Sequence, residues 1–210
     1  MISRVFYRLV QNVFMLFFRL YNRLEVYGLS NIPSEGPMIV ASNHASFADP
    51  PLIGAVFPIR LRYLAKESLF RVPLLGFLIR TLGAVPVTRG DSQRAGAVMK
   101  LLLALLKEGE SVLLFPEGSR SANGRLGPIE PGAAYLSVKT GFPVLPVYVK
   151  GSFEAWPKSR ALPRPSKMKL TISHLIYPDP DMPNERERRE KLMRSLEREL
   201  LAMEDADDVC

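Results

Sequence analysis

The sequence predicts an α/β domain, a mixed sheet covered by helices, with an amphipathic helix in front of it. Three observations carry that prediction. Short apolar runs alternate along the chain with longer segments of helical periodicity. The runs end in turn-forming Pro, Gly, Asn or Ser, as strands feeding loops do. The stretch before the first run segregates Arg from Phe and Leu at helical spacing. With 210 residues and 47% hydrophobic content there is apolar material for one sizeable core. No internal repeat and no long linker divides it. The expected organisation is therefore a helix over 1–28, one α/β domain over 29–203 and an acidic tail over 204–210.

The N-terminal helix comes first. Between Arg4 and Arg23 the arginines Arg4, Arg8, Arg19 and Arg23 share a stripe with Gln11, Asn12 and Asn22. Phe6, Leu9, Val13, Leu16, Phe17 and Leu20 fill the other side. The charge-free run from Leu9 to Phe18 is too short for the roughly 20 apolar residues of a membrane-spanning helix. Arginines recur after it without a small-residue cleavage site, which argues against a secretory signal. Such a helix either packs on the core or lies in a membrane interface, and the Arg/Phe/Leu segregation favours the interface. Met38 to Ala41, Leu61 to Ala65, Ala84 to Val87, Val112 to Phe115, Val144 to Val149 and Met168 to His174 read as strands. The last alternates Met168, Leu170 and Ile172 with Lys169, Thr171 and Ser173, so one face is covered. Asp91 or Ser92 caps a helix bearing Val98, Leu101, Leu102 and Leu105, closed by Gly109. The apolar segment Val72 to Ile79 is a buried helix, a membrane contact or a channel wall. Another helix runs from about Ala133 to Gly141. Asn184 and Glu187 open a last helix in the manner of a capping box, with Leu192, Leu196 and Leu200 on one side.

The formal net charge is +7. A positive surplus suits an anionic partner, such as nucleic acid, an anionic membrane or a phosphorylated substrate. No recognised nucleic-acid motif is present. The single cysteine, Cys210, cannot pair within the chain, so there is no disulfide framework. This fits a reducing compartment. The two histidines, His44 and His174, stand far apart, and no Cys/His cluster has zinc-ligand spacing. His174 ends a strand and reads as structural.

Two turns directly after strands carry chemistry-bearing residues. Asn43-His44-Ala45-Ser46-Phe47-Ala48-Asp49-Pro50 offers a His with an Asp five residues on. A carboxylate accepting one imidazole N–H fixes the tautomer and stabilises the imidazolium, which makes a general base. Taken alone, the pair is a weak signal, and the same Asp reads better as a cap for the following helix. Phe115-Pro116-Glu117-Gly118-Ser119-Arg120-Ser121 offers a fixed backbone, a glycine for close approach, and Glu and Arg to grip hydroxyls and phosphate. Alone, it is an ordinary Pro-Gly turn.

Together the turns resemble the PlsC-type glycerolipid acyltransferases, the family of 1-acyl-glycerol-3-phosphate acyltransferases. Asn43, His44, Ser46 and Asp49 match the family's N-H-x-S-x-x-D block. Gly83 and Arg89 match G-x-x-x-x-x-R, Phe115 through Ser121 match F-P-E-G-[TS]-R-[ST], and Val144, Pro146 and Val147 match V-x-P-V. Order and spacing agree across Asn43 to Val147. Two departures stand out: Ser119 replaces the commoner Thr, and Glu130-Pro131 precedes Gly132 where the family often has a basic residue.

The resemblance implies that His44 deprotonates an acceptor hydroxyl, that Asp49 orients His44, and that the oxygen attacks an acyl thioester directly. The chain has no Gly-x-Ser-x-Gly elbow, and Ser46 stands too near His44 to converge on it as a nucleophile. Lys66, Arg89 and Arg120 are the implied phosphate cations, Arg forks being suited to phosphate. Glu117, Gly118 and Ser119 line the same site. No cofactor is expected; acyl-CoA or acyl carrier protein is the co-substrate. The implied acceptor is lysophosphatidate, giving phosphatidate, with glycerol-3-phosphate or another lysolipid as alternatives. A lipid hydrolase using the same His/Asp pair is the rival enzyme. The expected partners are membrane lipids, the acyl donor and the acceptor, with no nucleic acid. The expected location is interfacial, on the cytoplasmic face of a membrane.

Overall fold

The computed structural model describes residues 4–87 and 92–206. In chain order the elements are α1 (Arg4–Tyr21), β1 (Glu25–Tyr27), β2 (Ile39–Ser42), α2 (Asp49–Val56), β3 (Leu61–Lys66), α3 (Pro73–Thr81), β4 (Ala84–Val87), α4 (Ser92–Lys107), β5 (Ser111–Leu114), α5 (Gly132–Thr140), β6 (Val144–Lys150), α6 (Ser152–Ala155), β7 (Lys169–Ile172) and α7 (Glu185–Asp205). The strands form one mixed sheet in the order β1-β7-β6-β2-β5-β3-β4. All neighbours are parallel except β6 and β7.

Two apolar layers result from strand alternation. Met38 and Val40 face one side with Tyr7, Val10 and Phe18 of α1 and Leu52 and Ile53 of α2. Ile39 and Ala41 face the other, against Leu102 and Leu106 of α4, Leu136 of α5 and Leu192, Leu196 and Leu200 of α7. Central strands covered on both faces read as near-continuous apolar runs, which is why β2, β5 and β6 stand out in the sequence. Leu170 and Ile172 of β7, and Met168 just before it, are buried as the alternation requires. Asn184 caps α7 by accepting from the Arg186 N–H at 3.0 Å, while its amide donates to Glu187 at 3.1 Å. The expected cap Asp91 lies outside the described residues.

Several expectations change. Gln11 and Asn22 are not on the solvent stripe of α1; both are buried. The Gln11 amide donates to the carbonyls of Gly54 (2.9 Å) and Phe57 (2.7 Å) at the C-terminal end of α2, where helix carbonyls lack partners of their own. Asn22 donates to the Ser166 carbonyl at 3.3 Å. Helix α1 therefore does both things that its sequence allows. It packs on the core through Tyr7, Val10, Phe14 and Phe18, and it leaves Val5, Leu9, Val13, Leu16 and Leu20 exposed as an apolar stripe. Segment Val72 to Ile79 is the start of α3, whose Leu74 and Phe77 are exposed beside α1; the Phe6 and Phe77 rings lie 5.6 Å apart. Residues 25–27, expected within the leading helical unit, form strand β1 against β7. Glu204 and Asp205, expected in the acidic tail, belong to α7.

Gly83, the glycine of the second motif, holds φ +100° between α3 and β4, and a Cβ there would sit 2.1 Å from the Leu61 carbonyl oxygen. Only glycine allows β4 to enter the sheet beside β3 at this point.

Candidate active site

Strands β2, β5, β3 and β4 run parallel, so their C-terminal ends share one edge of the sheet, where ligand sites of open α/β sheets lie. The turn after β2 brings His44 and Asp49 to that edge, and the turn after β5 brings Phe115 to Ser121. Lys66 ends β3, two strands from β2, about 10 Å across the sheet at ordinary strand spacing. Lys66 is exposed. Arg89 lies outside the described residues.

Asp49 opens α2 and is fully buried. Its Oδ2 accepts from His44 Nδ1 at 2.9 Å and from the N–H groups of Ala45 (2.8 Å) and Ser46 (2.7 Å). The capping alternative for Asp49 therefore fails in its simple form: residue Ala48 is the N-cap, without a side-chain capping bond, and the carboxylate organises the turn before the helix. With Nδ1–H committed to the carboxylate, Nε2 is the basic nitrogen. The His44 side chain is 14% exposed and lies flat on Phe115, with ring centroids 4.0 Å apart. Ser46 is occupied: its hydroxyl donates to the Trp156 carbonyl at 2.9 Å and accepts from the Ala48 N–H at 3.0 Å.

Asn43 explains why the turn starts where it does. Its amide donates to the Val149 carbonyl (2.9 Å) and its Oδ1 accepts from the Val149 N–H (2.7 Å). The side chain thus imitates one more residue of the β2–β6 ladder, in which Ser42 faces Val147. The fourth motif, Val144-Leu145-Pro146-Val147, supplies that ladder. Asn43 is a site residue whose role the sequence did not disclose.

Both carboxylate oxygens of Glu117 are engaged by backbone N–H groups. Its Oε1 accepts from the His44 N–H (2.7 Å) and its Oε2 from the Gly127 N–H (3.0 Å). Burial pushes its carboxyl above the ordinary Glu range, and those two N–H groups pull against the rise. The Ser121 N–H donates to the His44 carbonyl at 2.7 Å, so the two turns are laced together on both sides of His44. Gly118 (φ +68°) and Ser119 form the exposed tip of the second turn. The Arg120 guanidinium lies 3.5 Å over the Phe47 ring, which places the cation beside the first turn.

Two cavities stand out on the domain. One, about 400 Å³, is lined by Glu67, Phe70, Arg71, Arg80 and Pro86 near the ends of β3 and β4. The other, about 320 Å³, is almost wholly apolar and lies between α1, α2 and the segment from Trp156 to Met168, with Phe14, Phe18, Ala48 and Pro51 in its wall. Neither Arg71 nor Arg80 stands out in the sequence, because an Arg after an apolar run looks like any solvated surface residue. His174 is exposed.

A family model described as Acyltransferase matches residues 23–150. The chloroplastic 1-acyl-sn-glycerol-3-phosphate acyltransferase BAT2 of Brassica napus is 33% identical over 75% of this chain and 46% of its own length. A 1-acyl-sn-glycerol-3-phosphate acyltransferase of Pseudomonas aeruginosa is 31% identical over 77% of this chain and 62% of its own length. The chain thus spans about half the length of curated relatives such as the Brassica protein. Among solved structures, the 1-acyl-sn-glycerophosphate (LPA) acyltransferase PlsC of Thermotoga maritima superposes with a TM-score of 0.79 at 30% identity, over 97% of this chain and 84% of that one.

Proposed function

Because the chain belongs to the acyltransferase family, we propose that it transfers a fatty acyl group from an acyl thioester to the free hydroxyl of lysophosphatidate, giving phosphatidate. The observation that carries this reading is the His44–Asp49 pair, in which a fully buried carboxylate fixes the imidazole tautomer. Nε2 of His44 takes the proton of the acceptor hydroxyl as its oxygen adds to the thioester carbonyl. Collapse of the tetrahedral adduct breaks the C–S bond, and the imidazolium returns the proton to the departing thiolate. Asp49 stabilises the imidazolium between these steps. The engaged hydroxyl of Ser46 agrees with a route that has no acyl-enzyme. The apolar cavity beside Ala48 suits the acyl chain, and acyl-CoA and acyl carrier protein are both suitable donors.

Incubating the purified protein with each donor and with lysophosphatidate, glycerol-3-phosphate or another lysolipid, then weighing the products, tests the assignment. Phosphatidate should dominate. Thioester cleavage that proceeds equally without any acceptor would instead favour a hydrolase.

Arg120 is assigned to the acceptor phosphate, with Lys66 and Arg89 as further cations. A charged hydrogen bond contributes about 1.5–3 kcal/mol, so Arg120→Ala should lower kcat/KM for the acceptor roughly 10- to 150-fold and spare donor KM. An unchanged acceptor kcat/KM contradicts the assignment.

We also assign the exposed stripe of α1 to a membrane interface on the cytoplasmic face, where anionic lipid attracts Arg8 and Arg19. No helix among the described residues is long and apolar enough to cross a membrane. Exposed Leu74 and Phe77 of α3 and Leu162 extend the apolar surface; Leu162 sits beside Pro163, whose carbonyl accepts from Tyr21 of α1 at 3.3 Å. Removing α1 would strip Tyr7, Val10 and Phe18 from the core, so substitution is the cleaner test. Replacing Leu9, Leu16 and Leu20 together by Glu should reduce sedimentation with anionic liposomes more than tenfold at an unchanged thermal midpoint, since each buried Leu contributes about 1.5–3 kcal/mol. Sedimentation equal to the parent's rejects the stripe as the contact.

A further inference from the structure

The last turn of α7 holds an acid where a helix disfavours one. Carbonyl dipoles make a helix C-terminus partly negative, yet α7 ends with Glu204 and Asp205 and has no basic residue in its last turn. Glu204 is engaged there. Its Oε1 accepts from the Tyr148 hydroxyl at 2.9 Å and from the Leu126 N–H at 3.0 Å. Tyr148 is buried on β6, and burial together with Glu204 holds its phenol above the ordinary range, so it remains the donor.

Leu126 immediately precedes Gly127. Two consecutive N–H groups of one loop thus go to two carboxylates, Leu126 to Glu204 on the outside and Gly127 to Glu117 on the inside. The other oxygen of Glu117 holds the His44 N–H. Elsewhere the loop is fastened through the Ser121 N–H to the His44 carbonyl and the Glu130 N–H to the Pro116 carbonyl, both 2.7 Å. Without Glu204, the stretch between those points would keep the Gly127 contact, the Ser121 hydroxyl on the Arg125 carbonyl (2.7 Å) and the packing of Leu126 and Ile129 on the core, and Glu117 would carry more of the load of holding both the loop and His44.

We propose that Glu204 is a positioning residue for the acyl transfer: by anchoring Leu126 to β6, it seats Gly127 on Glu117 and so fixes the backbone at His44. Glu204 touches no reacting atom. The inference rests on the acyltransferase reading for its effect on rate, but not for its effect on the loop.

The test compares Glu204→Ala, Glu204→Gln and the control Glu190→Ala in the full chain. Glu190 is on the same helix and, among the described residues, pairs with the surface arginines Arg186 and Arg194. Loss of one ordinary hydrogen bond at the loop is expected to lower kcat about tenfold in Glu204→Ala. Donor KM should be unchanged, and amide exchange at Leu126 and Gly127 should be faster. Glu204→Gln keeps an acceptor oxygen and should recover most of both; Glu190→Ala should change neither. Exchange needs no turnover. A protein without acyl transfer in any form, but with faster Gly127 exchange in Glu204→Ala alone, would therefore fault the proposed reaction and not the clamp. Parental exchange at Gly127 in Glu204→Ala overturns the proposal. So does a Glu204→Gln variant as slow as the alanine one, since that would make the charge and not the anchor responsible.

Discussion

Replacing His44 by Ala is expected to lower kcat by about 10²–10⁴-fold while the protein stays folded. The imidazole is the general base in the proposed reaction, and the turn that carries it is organised mainly by others. Asp49 holds the Ala45 and Ser46 N–H groups, and Glu117 and Ser121 hold the His44 backbone. Asp49→Asn separates charge from turn geometry. An Asn oxygen can still accept from the two backbone N–H groups, so the turn should survive. It brings no negative charge to an imidazolium, so kcat should fall with the thermal midpoint nearly unchanged. Steady-state kinetics and thermal melts of the two variants check this. A folded His44→Ala protein with near-parental kcat ends the mechanism.

The largest stability effect is expected at Asn43. In Asn43→Ala, the Val149 N–H and carbonyl both lose their partner in a buried place. Each unsatisfied buried group costs about 1–3 kcal/mol, hence roughly 2–6 kcal/mol together. At about 2–4 °C per kcal/mol for a chain of this size, the thermal midpoint should drop about 10 °C, and kcat should fall with it. A midpoint within about 2 °C of the parent's would mean that the ladder does not depend on Asn43.

How much of the fold and site is legible in the sequence depends on how local each cause is. Strands β2, β5 and β6 announce themselves because burial on both faces writes an unbroken apolar run. Strand β1 is only Glu25, Val26 and Tyr27, and it exists because β7 lies beside it, far along the chain. The His44–Asp49 contact closes within one turn, so the spacing displays it. Gln11 sorts with the arginines because helical spacing groups residues by polarity and cannot show that two α2 carbonyls wait for an amide. Glu117 beside Gly118 and Arg120 suggests a grip on substrate; that it also holds the His44 and Gly127 N–H groups is hidden, because a backbone donor leaves no mark in the sequence. Glu204 shares an acidic run with Asp207 and Asp208, and composition alone does not mark it as an anchored residue of α7.

The Asn43–Val149 pairing also dates the site within the folding process. The partners are 106 residues apart, and contacts of such separation form late because a long loop must close first. A nascent chain that has reached Thr140 holds His44, Asp49 and the whole Phe115–Ser121 turn, yet it has not made β6. The Asn43 anchor of the turn can form only when β6 docks beside β2, so in synthesis the site should be completed after most of its residues have been translated.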